Sequence, residues 1–332
     1  MTQNHSRTAG LVLDQAFELH NPGLDHPESP QRYRSLTRAL EESGMLGRLA
    51  RIEAREASAD DLHLCHTRSY LATVQHDVAR KAPALSTGDT SLGPHSERIA
   101  RLAVGAAMAG VDAVMTGRVR RVFVAARPPG HHATLSRGMG FCIYNNVALA
   151  ARYARKAYGV DRILIADWDV HHGNGTQDIF YEDPSVFYFS THQWPWYPGT
   201  GAADETGAAA GKGATLNCPL KAGAGHAEIL GAFRKKLLPA MKGFRPALVL
   251  LSAGFDSRRG DPLGRFQLRD EDFHELTTIA LEIADRSSGG RIVSMLEGGY
   301  NVDGLASAAM AHLEGLAGLD GPRGRKTPAS GR

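Results

Sequence analysis

The sequence contains few cysteines, no long apolar run and little net charge. Its three cysteines, Cys65, Cys142 and Cys218, are odd in number and form no Cys-x-x-Cys pair. This argues against a disulfide framework or a cysteine-rich zinc site and favours a reducing compartment. No segment approaches the ~18 consecutive apolar residues of a membrane-spanning helix, and the polar residues 1–10 do not resemble a signal peptide. We therefore expect a cytoplasmic protein without a membrane partner.

The small net charge argues against a nucleic acid partner. Lys and Arg outnumber Asp and Glu by 38 to 35, a formal net charge of +3, and the arginines are scattered apart from residues 118–121 and the carboxyl terminus. No basic stripe accompanies Trp194, Trp196 and Tyr197, so these aromatic residues fit a pocket wall or rim better than a base-stacking platform. We expect no direct nucleic acid partner.

Apolar, strand-like segments alternate along the chain with polar loops and helical patterns. The strand-like segments span residues 11–13, 121–125, 163–166, 186–190, 247–252 and 292–296, and a helical pattern covers, for example, residues 226–241. The alternation occurs at least five times, which predicts an α/β fold with a mostly parallel, doubly wound sheet and helices on both faces. We expect a single domain over residues 1–316, a long loop at residues 191–213 and a mobile tail over residues 317–332.

The most informative stretch follows the apolar segment Ile163–Ala166. It carries Asp167, Asp169 and His171 at alternate positions, and alternate residues of an extended chain point to the same face. In open parallel sheets, ligands bind at the carboxyl ends of the strands. An oxygen donor and a nitrogen donor at such an end suit zinc or a similar divalent ion. The alternative is an Asp- and His-rich turn that satisfies only its own backbone.

A later predicted strand end supplies a third ligand. Asp256 would complete a set with Asp169 and His171, and three protein ligands leave positions open for water and substrate, as in catalytic zinc sites. A two-metal site would want further carboxylates shortly after His171 and Asp256, where Gly173 and Arg258 stand instead. The sequence therefore predicts one metal ion.

Two more strand ends carry side chains suited to catalysis. His131 and His132 follow a Pro-Pro-Gly turn, and Tyr300 stands between Gly299 and Asn301. Burying two adjacent imidazoles requires a partner for each, whereas beside an activated water they can act as acid and base. A phenol at a glycine-flanked strand end can donate to a developing oxyanion. We predict that these side chains meet the metal ligands in one site.

Six motifs occur in order along the chain, within a resemblance that runs from about residue 11 to residue 316. They are Arg127–Ala133, Gly140–Cys142, Asp167–Gln177, Gly254–Asp256, Asp261–Gly264 and Glu297–Asn301. Together they resemble the zinc-dependent histone deacetylase superfamily, which includes the acetylpolyamine amidohydrolases and has the arginase-type fold. Asn174 stands where class I members have Asp, so the chain is more similar to class II and its bacterial relatives.

The resemblance implies a role for each residue of the predicted site. It implies zinc on Asp169, His171 and Asp256, catalysis by His131, His132 and Tyr300, and support of the two histidines by Asp167 and Asn174, respectively. An Asp partner stabilises an imidazolium, whereas an Asn amide fixes the ring without adding charge. We therefore expect His132 to be neutral more readily than His131. Class IIa members, which are poor deacetylases, have His in place of Tyr300, so Tyr300 implies catalytic competence.

The resemblance also implies a substrate tunnel, an exit channel and monovalent cation sites. The tunnel would be formed by Gly140, Phe141, Tyr197 and Leu263, with Asp89 as the substrate anchor and Arg32 in an acetate channel. Structural K⁺ or Na⁺ would bind at one site formed by Asp167, Asp169, His171, Ser190 and Thr191 and at another formed by Phe180, Asp183 and Val186. Most of these cation ligands would be backbone carbonyls.

The implied activity is hydrolysis of acetyl groups from lysine side chains of proteins or peptides. The alternative is deacetylation of acetylpolyamines or other small acylated amines. Such enzymes usually carry an acidic residue at the pocket mouth, where this chain has Leu263, although Asp89, Glu97, Asp204 or Glu205 could take that place after folding. A zinc-retaining acyl-group binder and a two-metal ureohydrolase are further alternatives, and the sequence leaves an oligomer open.

Overall fold

The computed structural model describes residues 8–321. Within this range, eight strands form one sheet in which all neighbouring strands are parallel. The strands are β1 Ala9–Val12, β2 Ala50–Ile52, β3 Arg121–Val124, β4 Ile163–Asp167, β5 Val186–Gln193, β6 Thr215–Leu220, β7 Leu248–Ala253 and β8 Ile292–Leu296. Their order across the sheet is β2-β1-β3-β8-β7-β4-β5-β6.

Helices connect the strands and cover the sheet. They are α1 Pro30–Glu42, α2 Ala59–Leu62, α3 Arg68–Ala79, α4 Ser96–Met115, α5 Asn146–Tyr158, α6 Asn174–Phe180, α7 His226–Ala232, α8 Leu238–Phe244, α9 Asp270–Ser287 and α10 Val302–Ala317. Asn145 and Asn301 begin α5 and α10, since their side chains accept hydrogen bonds from the Ala148 and Gly304 N–H groups. None of these helices is long and apolar enough to cross a membrane.

Two apolar cores lie on opposite faces of the sheet because successive residues of a strand point to opposite sides. Ile163 and Ile165 of β4 pack in the core that contains α4 and α5, whereas Leu164 and Ala166 pack in the core that contains α9 and α10. Every residue of β4, β7 and β8 is buried, as expected for parallel strands covered on both faces. The predicted doubly wound α/β fold is confirmed.

The register of the central strands places their carboxyl ends side by side at one edge of the sheet. Asp167, the last residue of β4, pairs with Ser190 of β5 and with Ser252 of β7. The loops that follow β3, β4, β7 and β8 therefore leave the sheet at the same edge. These are the loops that were predicted to carry the reactive side chains.

The structure differs from the predicted elements at two edge strands and one helix. The strands that were not predicted are β2, which has only three residues, and β6, which contains Pro219. Proline lacks a backbone N–H, so it is tolerated on an edge strand but weakens the strand pattern. The predicted loop at 191–213 begins later because β5 extends to Gln193. The predicted helix at 226–241 is divided by a wider π turn at Phe233–Leu237, just before Pro239.

The carboxyl-terminal boundary of the predicted domain falls at the end of α10. Gly318 ends this helix in the left-handed conformation at φ 71°, which glycine adopts without strain. A mobile tail was predicted over residues 317–332. Residues 322–332 of this segment lie outside the described residues.

Candidate active site

Asp169, His171 and Asp256 meet at the carboxyl edge of the sheet. Asp169 and His171 follow β4, and Asp256 follows the neighbouring strand β7. All three residues are buried, and one donor atom from each lies within 4.8 Å of the others. The Nδ1 of His171 is 3.0 Å from the Oδ1 of Asp169 and 3.3 Å from the Oδ2 of Asp256. The structure thus brings together the three residues predicted to bind a metal.

The surroundings of these ligands fit a divalent metal ion. The Oδ1 of Asp256 accepts a hydrogen bond of 2.8 Å from the Val170 N–H, but its buried Oδ2 has no hydrogen-bond partner. A buried carboxylate oxygen without a partner is costly, and a metal ion would satisfy it. A side chain at Gly298 would collide with both carboxylates, so the space beside them depends on glycine. Two carboxylates and one imidazole form a donor set that suits zinc.

The charges at this centre also favour a cation. Burial, together with the charge of Asp169, raises the pKa of Asp256 to about 7. Burial alone would also raise the pKa of Asp169, but the His131 and His171 imidazoles outweigh burial and lower it. Burial would lower the pKa of His171, yet Asp169 and Asp256 raise it to about 10. The two carboxylates therefore already attract positive charge.

His131 and His132 stand beside the ligand set with different partners. Their ring centroids are 4.0 Å apart. The Nδ1 of His131 lies 2.9 Å from Asp167 Oδ2, and the Nδ1 of His132 lies 2.8 Å from Asn174 Oδ1. Burial would lower the pKa of His131, but Asp167 and Asp169 raise it to about 10. For His132, burial and the charges of His131 and His171 lower the pKa well below its usual value.

Glu297 holds the backbone that presents the two histidines. Its Oε2 accepts hydrogen bonds from the N–H groups of Gly130 and His131 at 2.6 and 3.2 Å, and its Oε1 accepts from the Ser252 hydroxyl at 3.1 Å. From the sequence, Glu297 belonged to a motif but had no predicted role. A carboxylate directly after the apolar strand β8 is the signal that could have identified it. Burial raises its pKa to about 7, although the charge of His131 opposes this shift.

A slot of about 280 Å³ leads from the surface to this centre. It is lined by residues from several loops, namely Asp89, His132, Gly140, Phe141, His171, Trp196, Tyr197, Pro262, Leu263 and Tyr300. All five residues predicted for substrate binding are among them. His132 and Tyr300 line the slot, but His131 does not.

Tyr300 is held in the slot by neighbours on three sides. Its backbone N–H donates to Asp261 Oδ2 at 2.6 Å, the Arg32 guanidinium lies 4.9 Å from its ring centroid, and the Phe141 ring centroid is 5.7 Å away. Burial raises the pKa of the Tyr300 phenol well above its usual value. The hydroxyl therefore stays protonated and can act as a hydrogen-bond donor.

Hydrogen bonds fix the mouth of the slot. The Oδ1 of Asp89 accepts from the Gly140 N–H at 2.7 Å, and its Oδ2 accepts from the Tyr197 hydroxyl at 3.0 Å. The Trp196 Nε1 donates to the Leu263 carbonyl at 2.8 Å. Among the described residues that line the slot, Asp89 alone is acidic. The other acidic candidates for the mouth, Glu97, Asp204 and Glu205, are not among these residues.

Arg32 lies behind Tyr300 in a buried ionic cluster. Its Nε and one terminal nitrogen donate to the carbonyls of Gly299 and Glu297 at 2.6 and 2.5 Å, and the other terminal nitrogen donates to Glu28 Oε1 at 3.0 Å. Burial would raise the pKa of Glu28, but Arg127, the interaction with His20 and Arg32 together outweigh burial and lower it well below its usual value. Arg32 thus fixes the backbone on both sides of Gly298. Its role in an acetate channel stays a prediction.

The residues predicted for monovalent cations lie at the ends of β4 and β5 and around α6. Ser190 Oγ is 2.9 Å from His192 Nδ1, and Thr191 Oγ1 is buried without a hydrogen-bond partner. The Asp183 carboxylate accepts hydrogen bonds from Arg152 and Arg155 at 2.7 and 2.9 Å, so its backbone carbonyl is the better candidate ligand. Cation binding at these positions stays a prediction.

The fold and the site define an α/β protein with a buried metal-ligand set and a histidine pair at the carboxyl ends of its strands. Comparison with known proteins gives the family. The histone deacetylase domain matches residues 26–316, and the chain belongs to the histone deacetylase family, as its motifs predicted. The crystal structure of the HDA15 HD domain superposes with a TM-score of 0.89 and 38% sequence identity, over 95% of this chain and 89% of that one. This match confirms the arginase-type fold.

Curated relatives include deacetylases whose names state different substrates. A histone deacetylase-like amidohydrolase of Pseudomonas aeruginosa is 40% identical over 89% of this chain and 77% of its own length. The mouse polyamine deacetylase HDAC10 is 43% identical over 88% of this chain and 45% of its own length. Histone deacetylase 15 of Arabidopsis thaliana is 40% identical over 93% of this chain and 55% of its own length. The chain thus spans about half the length of the last two relatives.

Proposed function

We propose that this protein is a zinc-dependent amidohydrolase that removes acetyl groups from lysine side chains of proteins or peptides. The observation that carries the proposal is the slot that ends at His132, His171 and Tyr300. Its aromatic walls, Phe141 and Tyr197, suit the apolar stem of a lysine whose charge acetylation has removed. The slot thus directs an acyl group to the residues that could hydrolyse it.

Asp169, His171 and Asp256 would hold the zinc ion. When bound there, zinc would supply a Lewis acid that polarises the acyl carbonyl and lowers the pKa of water toward about 7. Gly298 keeps the space beside the two carboxylates free of a side chain and donates its N–H to Asp169 Oδ2 at 2.8 Å. This hydrogen bond fixes the orientation of one ligand.

His132 and His131 would divide the proton chemistry. His132 lines the slot, and its lowered pKa leaves its Nε2 free to accept a proton from the attacking water. The same ring can then deliver that proton to the leaving amine. His131 is held by Asp167, and its raised pKa makes it a fixed positive charge that stabilises the developing anion.

Tyr300 would donate its hydroxyl hydrogen bond to the oxyanion that forms when water attacks the carbonyl. The protonated state of the phenol suits this role. The Arg32 guanidinium against the ring and the Asp261 bond to the Tyr300 N–H limit the movement of this donor. A donor fixed before the reaction contributes more to catalysis than one that must first reorient.

Deacetylation of acetylpolyamines is the second candidate, because the HDAC10 relatives are polyamine deacetylases by name. A distal ammonium would need an anion at the mouth, where Leu263 stands. Asp89 is the acidic residue there, and hydrogen bonds from Gly140 and Tyr197 fix its carboxylate against the rim. The apolar side chain of Leu263 at the mouth favours the lysine substrate.

The test is a direct comparison of kcat/KM for an acetyllysine peptide and for N-acetylputrescine, with the zinc content of the enzyme measured. We expect the peptide to be preferred by about tenfold or more, because Leu263 stands where a distal ammonium would need an anion. A preference for N-acetylputrescine would support the second candidate. Zinc-loaded enzyme that hydrolyses neither substrate would support the acyl-group binder.

A further inference from the structure

A second, larger groove adjoins the mouth of the slot. It has a volume of about 730 Å³ and lies between the loop that follows β5 and the carboxyl end of β6. Trp196 lines both the slot and this groove, so the indole forms the wall that they share. Trp194, Leu220, Lys221 and Arg265 contribute to the rest of the groove. We call this surface the Trp196 groove.

The groove combines aromatic surface with two exposed positive charges. Lys221 and Arg265 are exposed, and the Arg265 guanidinium lies 5.9 Å from the ring centroid of Trp196. Among the described residues, neither cation forms an ion pair with a carboxylate. None of the described residues that line the groove is acidic. The groove therefore complements an anionic ligand.

The backbone around the groove is fixed to the mouth of the slot. Trp196 donates to the Leu263 carbonyl at 2.8 Å, and the Arg265 N–H donates to Gln193 Oε1 at 2.9 Å. Leu263 lines the slot, and Arg265 follows it by two residues, a chain distance of about 7 Å. An extended peptide whose lysine enters beside Leu263 would thus bring a residue within about three positions of that lysine to the groove.

We propose that the Trp196 groove binds an acidic side chain of the substrate, at a position within about three residues of the acetylated lysine. This inference rests on the proposed function, because only a peptide or protein substrate has flanking residues. The Asp or Glu carboxylate of the substrate contacts Lys221 and Arg265. The substrate residues next to this Asp or Glu pack on the indoles of Trp194 and Trp196. The groove thereby selects acetylated lysines in acidic sequence surroundings.

The test uses short peptides with one acetyllysine in an otherwise uncharged sequence. Glu, Gln, Leu or Lys is placed at each of three positions on either side, and kcat/KM is measured with the zinc-loaded full chain. At one or two positions we expect the Glu peptide to exceed the Lys peptide by about two- to fivefold, within the range of exposed ion pairs. The ratio should approach one in 1 M salt, where the screening length is about 3 Å.

Charge reversal provides the specific control. Lys221→Glu combined with Arg265→Glu should invert the ratio of kcat/KM for the Glu peptide to kcat/KM for the Lys peptide. Because both values come from the same preparation, this ratio does not depend on the fraction of the variant that is active. If the double variant fails to fold, Lys221→Gln and Arg265→Gln should each move the ratio toward one. Lys212→Glu is the matched control, since Lys212 is exposed near the amino end of β6 whereas Lys221 follows its carboxyl end.

The outcomes separate this inference from the proposed function. Peptides that are hydrolysed with a ratio near one at every position would overturn the inference alone. A preference that survives charge reversal would also overturn it, as would a Leu peptide that exceeds the Glu peptide, since the groove would then be an apolar site. If no peptide is hydrolysed while N-acetylputrescine is, the proposed function fails and the inference fails with it.

Discussion

The Nδ1 of His132 lies 2.8 Å from the Oδ1 of Asn174. An amide oxygen accepts a hydrogen bond, so the neutral His132 ring carries its proton on Nδ1 and leaves the Nε2 lone pair free. His131 has a carboxylate partner, Asp167, at the corresponding place. The Asp167 carboxylate raises the pKa of His131, whereas the Asn174 amide adds no charge to offset burial and the charges of His131 and His171, which lower the pKa of His132.

Asn174→Asp should raise the pKa of His132, because a carboxylate stabilises the imidazolium. A base acts only when it is deprotonated, so the acidic limb of the kcat/KM profile should move to higher pH. NMR titration of the ring resonances measures the pKa, and the pH profile measures the catalytic effect.

Asp167→Asn is the matched control for this variant, since it should lower the pKa of His131 instead. Two results would contradict the assignment of the neutral base. One is a wild-type His132 more basic than His131, and the other is an unchanged profile in Asn174→Asp.

Tyr300→Phe should lower kcat by about 10²- to 10³-fold, the usual cost of losing one oxyanion donor. The bound zinc should remain, because the phenol is not a ligand. Tyr197→Phe is the matched comparison, since it also removes one hydroxyl from the slot but breaks the bond to Asp89. That change should act mainly on KM and by less than about tenfold. Equal losses in kcat for the two variants would refute the distinct role of Tyr300.

Asp256→Asn should remove most of the metal, because an amide is a weaker ligand than the carboxylate whose buried Oδ2 has no hydrogen-bond partner. Elemental analysis should give one zinc per chain in the wild type and little in the variant. A chelator should abolish wild-type hydrolysis and lower its Tm, since a ligand present at about 1,000 times its Kd stabilises by about 4 kcal/mol.

Asp178→Asn is the control for metal content, because Asp178 is an exposed residue of α6 and no part of the ligand set. It should retain one zinc per chain. Two divalent metal ions per chain in the wild type would contradict the single site and favour the ureohydrolase alternative.

The central strands and the ligand set could be predicted from the sequence because their signals are local. The apolar run of β4 and the alternation of Asp167, Asp169 and His171 lie within nine residues of one another. In a parallel sheet the carboxyl ends of the strands lie at one edge, so polar side chains at these ends can be predicted to share that edge. That β7 lies beside β4, which brings Asp256 to the other two ligands, is seen only in the structure.

The residues that were missed act through contacts between distant parts of the chain. Glu297 binds the backbone at Gly130, 167 residues earlier, and no local pattern shows which N–H groups a buried carboxylate will meet. The Trp196 groove likewise depends on β6, an edge strand that was not predicted because Pro219 interrupts its strand pattern. Such contacts depend on tertiary packing, which overrides local propensity.

His312→Gln should change the pH dependence of stability in a defined direction. His312 is buried between Thr277 and Ser294, with ring nitrogens 2.6 and 2.8 Å from their hydroxyls, and burial lowers its pKa to about 3. Below the unfolded pKa of about 6.5, the unfolded chain binds a proton at this residue and the folded chain does not. The wild type should therefore lose about 1.4 kcal/mol per pH unit relative to the variant as pH falls from about 6.5 toward 3.

Urea unfolding of both proteins at several pH values measures this difference. At neutral pH, His312→Gln should be the less stable protein, since Gln fits the two hydroxyls less well, and the gap should narrow on acidification. His226→Gln is the matched control, because Asp272 raises the pKa of the exposed His226. His226 stabilises the fold below its unfolded pKa and loses this contribution as pH rises through the folded pKa. The difference in the free energy of unfolding between the wild type and His226→Gln should therefore increase on acidification. If the corresponding difference for His312→Gln does not vary with pH, His312 has the same pKa in the folded and unfolded states and the prediction is wrong.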